Sequence, residues 1–172
     1  MAEALKNIRE VWARTSLIQR VVLLAVLLAC TAAGDLKVDA HHTTEDVGIV
    51  LGAAFADSLG EKRGITRFGD ARVPMEDSLA AVAVDLSGRG MLCYEVAFPA
   101  HKVGEFDVEL VQEFLQAFCT NAGVNMHVDL VRGTNGHHIA EAVFKAVARA
   151  LRAAVGIDPR LHGEVPSTKG VL

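Results

Sequence analysis

Hydrophobic and polar positions alternate between two periods along this chain. Helical spacing of apolar residues predicts helices over 42–59, 107–120 and 137–155, and a further helix over 4–29 with charges early and apolar residues late. Period-two alternation predicts strands over 35–39, 79–86, 91–98 and 124–131. Segment 87–90, Ser-Gly-Arg-Gly, reads as the turn of a hairpin between the second and third of these. Residues 60–75 are rich in glycine and charge and read as loop, and the tail after Asp158 reads as extended. Thr43 or Thr44 is placed to cap the helix at 42–59, and Gly60 to end it. The expected class is α+β.

An internal repeat runs through this pattern. Residues 39–45, DAHHTTE, recur as 135–141, NGHHIAE, an offset of 137 − 41 = 96 positions. Each copy follows a predicted strand and a polar turn and opens an Ala-rich helix. Two duplicated half-domains follow, each a β-sheet packed against helices, the first half incomplete. The second motif has strands over 79–98, a helix over 107–120 and another strand ahead of it. The first has only the apolar run and residues 35–39.

The doubled motif carries the candidate chemistry. Residues four apart on a helix share a face, so His41 lies with Glu45 and His137 with Glu141. His42 and His138 are turned by about 100° and are placed to serve a neighbouring ion. Neutral imidazole with carboxylate suits Mn, Zn, Fe or Ni rather than Mg or Ca. A single His-His pair is usually a solvated surface feature; two copies opening similar helices point to metal. His127 is either a half-buried strand histidine or a further ligand, and His101 and His162 read as surface residues.

Composition removes other functions. A net charge of −4 argues against a nucleic-acid coat, and one Trp and one Tyr leave no platform for stacking bases. Cys30, Cys93 and Cys119 are odd in number and lack Cys-x-x-Cys spacing, so they read as small buried apolar residues in a reducing compartment. The uncharged run 21–33 is shorter than the ~20 residues of a membrane span. Leu27-Leu28-Ala29-Cys30 looks like a lipoprotein cleavage site, but Glu3 and Glu10 do not suit a signal sequence. The expectation is a buried helix or a non-native N-terminal sequence in a cytoplasmic protein, with no membrane partner.

From about Gly34 onward the chain resembles imidazoleglycerol-phosphate dehydratase. The resemblance is carried by GDLKVDAHHTTEDVGIVLGAAFADSLGEKRGITRFGDARVPM, VDLSGR, VGEFDVELVQEF, GTNGHHIAEAVFKAVARALR and PSTKGVL, in order. It implies a lyase of histidine biosynthesis that dehydrates imidazole glycerol phosphate to imidazole acetol phosphate. It also implies two manganese ions per site and a homo-oligomeric shell of 24 subunits with sites between subunits. By motif, His41, His42, Glu45, Glu113, His137, His138 and Glu141 map to metal ligands. Arg67, Arg89, Lys145, Ser167 and Lys169 map to contacts with a small phosphate-bearing substrate. Cationic donors and hydroxyls are what a phosphate requires. Glu45 and Glu141 are the candidate proton carriers.

The first 33 residues depart from that pattern. Relatives begin with an Arg-x-Thr-x-Glu-Thr-like strand and a Phe-Leu-Asp-His-Met-like motif supplying a further metal-binding histidine; residues 1–33 contain no histidine. The division expected is 1–33 as an atypical apolar segment and 34–172 as the family-like domain. A truncated or misread start of an ordinary family member is favoured over a genuine variant. Glu76-Asp77 also inverts the Asp-Glu order usual in the family. An enzyme, a metal-binding protein of the same fold with little turnover, and an exported lipoprotein are the three functions to separate.

Overall fold

The computed structural model describes residues 39–170, together with Ala32, Gly34 and Lys37. The predicted helix over 4–29, most of the strand over 35–39, Cys30 and the apolar run before Thr31 lie outside the described residues. The elements are α1 (His41–Leu59), β1 (Phe68–Met75), β2 (Ser78–Asp85), β3 (Met91–Glu95), β4 (Lys102–Val103), β5 (Phe106–Asp107), α2 (Glu109–Ala122), β6 (Asn125–Arg132) and α3 (Gly136–Ala154), followed by a 3-10 turn at Pro159–Leu161. No helix among the described residues is long and apolar enough to cross a membrane.

The main sheet has the order β1-β2-β6-β3. β1–β2 and β2–β6 are antiparallel, and β3 runs parallel to β6. The parallel pair is joined through α2, the long crossover such pairs require. Period-two burial is clear in β2, where Ser78, Ala80, Val82 and Val84 point inward. Met126 and Val128 continue that inner face on β6. α3 covers it with Ile139, Ala142, Val143, Ala146, Val147 and Ala150, a stripe at helical spacing. α2 adds Leu110, Val111, Leu115 and Phe118, and ends at Gly123 in the left-handed region, whose N–H returns to the Cys119 carbonyl. Sheet packed against helices gives the expected α+β class.

α1 packs against α2 rather than on this sheet. A Cβ at Gly48 would stand 2.7 Å from the Phe114 carbonyl oxygen, and one at Gly52 2.6 Å from that of Phe118, so only glycine lets the two helices approach this closely. Phe55 and Phe118 complete the contact, ring centroids 5.5 Å apart.

Two local expectations are corrected. Residues 68–75 form β1, not loop: this edge strand carries Pro74 and exposes Asp70 and Arg72, so it mimics loop composition while pairing fully with β2. Segments 78–85 and 91–95 are strands, but not a hairpin, because β6 enters between them.

Candidate metal and substrate site

Each motif helix begins with the same local device. Asp39 Oδ1 accepts the His41 N–H at 2.9 Å. At the equivalent position Asn135 Oδ1 accepts the His137 N–H at 2.9 Å and the His138 N–H at 3.2 Å. These side chains satisfy helix-terminal donors that otherwise lack partners. The expected cap from Thr43 or Thr44 is therefore corrected: Ala40 is the N-cap residue and no side chain caps from there. Within each doublet the rings stand edge to face, 5.9 Å apart in the first and 6.0 Å in the second.

Beyond the doublets the two motifs differ. His137 Nε2 lies 3.3 Å from Glu141 Oε2, so the pair is spaced to share one ion. Lys145 Nζ is 2.7 Å from Glu141 Oε1 and holds the Glu141 carboxyl below its ordinary range. His138 Nδ1 is 2.7 Å from Asp77 Oδ1. Asp77 Oδ2 accepts from Thr134 N at 2.7 Å, Thr134 Oγ1 at 2.9 Å and Asn135 N at 3.1 Å. Those bonds, His138 foremost, hold the Asp77 carboxyl far below the usual carboxylate range. Glu45 has Ile49 rather than a lysine four positions on, and meets no lysine among the described residues.

The donor set suits a transition metal in kind. In number it is short: among the described residues no group of three or more His, Cys, Asp or Glu converges. α2 touches both motif helices, with Phe114 and Phe144 ring centroids 5.7 Å apart on the α3 side. Glu113 is half-buried on α2, and His127, His101 and His162 are exposed outside both motifs.

The expected substrate contacts fall into two groups. Arg67 bonds Asp85 Oδ1 through Nε at 2.7 Å and Asp85 Oδ2 through Nη2 at 3.1 Å. Its Nη1 donates to the Pro166 carbonyl at 2.9 Å, which draws Ser167 and Lys169 to this corner. Ser167 Oγ accepts the Lys169 N–H at 3.2 Å, a small turn that orders the tail. Arg67 adopts φ 72 and stacks its guanidinium 4.7 Å above the Phe68 ring. Sequence reasoning missed Lys62, whose Nζ donates to the Leu86 carbonyl at 3.1 Å beside the loop bearing Arg89. Burial lowers the Lys62 pKa. Lys145 stands apart, 3.6 Å from Met75 Sδ at the far end of β1. Eight strand residues separate the two groups by roughly 25 Å.

A family model described as imidazoleglycerol-phosphate dehydratase matches residues 17–151. The protein of that name from Azorhizobium caulinodans is 59% identical over 145 residues, 84% of this chain and 74% of that one. The one from Nitrobacter hamburgensis is 60% identical over 141 residues, 82% of this chain and 72% of that one. A crystal structure of the Staphylococcus aureus dehydratase superposes with a TM-score of 0.70 at 44% identity, covering 74% of this chain and 72% of that one. The Pyrococcus furiosus structure, in complex with (S)-C348, gives 0.70 at 38% identity, covering 81% and 74%. With its repeated His-His-x-x-Glu helices, sheet topology and matched length, the chain belongs to the imidazoleglycerol-phosphate dehydratase family.

Proposed function

We propose that the chain is a manganese-dependent hydro-lyase acting on imidazole glycerol phosphate in the cytoplasm, with sites completed between copies of a homo-oligomer. The observation carrying this is the second motif: His137 and Glu141 spaced as a chelating pair, beside His138 clamped by Asp77. A bound metal supplies a Lewis acid to the substrate's imidazole ring. The donors that one motif can turn towards a single ion do not fill a coordination shell, and no three His, Cys, Asp or Glu side chains converge among the described residues. Donors from another copy's α1, and Glu113, are the proposed complement to α3. The same assembly would bring Lys145 of one copy towards Arg67, Arg89, Ser167 and Lys169 of another, where cations and hydroxyls would hold the phosphate. Glu141, held below its ordinary pKa by Lys145, and Glu45 are the proposed proton carriers.

The turnover assay uses imidazole glycerol phosphate with saturating manganese. Measurable dehydration, abolished in His137→Ala, is expected. A second reading, metal binding with little or no turnover, rests on residues 1–33 containing no histidine. Manganese retained on the chain with no product formed would favour it over the first.

A further inference from the structure

We propose that Asp77 is a positioning residue that decides which nitrogen of His138 is offered to a metal. The inference rests on the metal reading above. An ionised carboxylate only accepts hydrogen bonds, so at 2.7 Å from Asp77 Oδ1 the His138 Nδ1 carries the proton and donates it. In the neutral ring the lone pair then belongs to Nε2, the nitrogen free to bind an ion. A carboxylate behind a ligating imidazole fixes ring orientation and raises its basicity.

The clamp is itself held. Asp77 sits in the two-residue turn between β1 and β2, where Met75 pairs with Ser78. Its second oxygen takes three bonds from Thr134 and Asn135, the residues leading into α3. Asn135 meanwhile accepts the backbone N–H of His138. One turn therefore fixes both the backbone of His138 and the carboxylate behind its ring. His137 is arranged differently: its Nε2 already faces Glu141, the carboxylate proposed to share its ion. Reach also matters. Glu76 occupies the left-handed turn position at φ 48, leaving the shorter aspartate at 77 facing the helix start.

A carboxylate that only stapled the hairpin to α3 would alter stability and leave the ring's tautomer alone. The test is 15N NMR of metal-free protein at a pH where His138 is neutral, its signals assigned by their loss in His138→Gln. The unsubstituted chain should show the Nδ1–H form, and Asp77→Ala should shift it towards Nε2–H. Manganese binding, followed by electron paramagnetic resonance, should weaken roughly 10- to 100-fold in Asp77→Ala. Asp77→Asn keeps an acceptor oxygen and should recover part of both effects. An Nε2–H form in the unsubstituted chain, or no tautomer change in Asp77→Ala, would overturn the inference. If Asp77→Ala fails to fold, the tautomer of the unsubstituted chain decides alone. Manganese bound equally by both chains would overturn this inference only; none bound by the unsubstituted chain would overturn the functional reading with it.

Discussion

The two motif helices share five residues of pattern and an Asx side chain two positions ahead, yet they sit in different surroundings. α3 lies on a sheet with Ile139, Val143 and Ala146 fully buried. α1 buries Gly48, Gly52 and Leu59, and its Ile49 and Val50 remain 36% and 66% exposed. The second motif has Lys145 on its glutamate and Asp77 on its second histidine; the first has neither counterpart among the described residues. The repeated motif gives the residue types, while the flanking strands and turns supply the hydrogen bonds that orient the second copy.

The comparison breaks first on stability. Ile139→Ala should cost about 2–5 kcal/mol, as a large-to-small change in a closed core. Val50→Ala should stay within about 0.5 kcal/mol, as at an exposed site. Urea denaturation measures both, and equal losses would mean that the α1 face is covered in solution. Next comes the corner opposite the motif. Arg67→Ala removes the partner of Asp85 and the tie to Pro166, an expected loss of about 1.5–3 kcal/mol. Hydrogen exchange should rise in the tail 164–170 and stay unchanged at the start of α3.

The smallest effect concerns the glutamates. Lys145→Ile gives α3 the residue α1 has at that place. The pair is exposed, four residues apart on one helix face and screened by solvent, so its contribution is small. Glu141's folded pKa is depressed, so the pair's contribution is present above the unfolded carboxyl pKa and is lost as pH falls through the lower, folded value. In Lys145→Ile the Glu141 midpoint, read by 13C NMR, should rise towards the usual carboxylate range, and that acid-side loss should shrink.

The helices were legible because their apolar spacing is dense: α2 and α3 begin and end within two residues of the sequence-based bounds. The motifs were legible for the same local reason. β1 was not, since an edge strand with Pro74, Asp70 and Arg72 has the composition of a loop. Strands 78–85 and 91–95 were found but mispaired, because the partner that separates them arrives some thirty residues later. Asp77 and Lys62 were missed on similar grounds. Their roles come from contacts 61 and 24 positions away in sequence, and no local pattern encodes them. Only the inverted Glu76-Asp77 order hinted that this turn differs.

The central claim is that a working metal site joins α1 of one copy to α3 of another. Manganese retained after equilibrium dialysis should be measured on His41→Ala, on His137→Ala and on the two refolded together. Each alone should lose most of its metal, and the mixture should regain about a quarter of the original occupancy, from random pairing of two chain types in an oligomer. A mixture that holds no more manganese than its separate components would contradict the claim and place each site within a single chain.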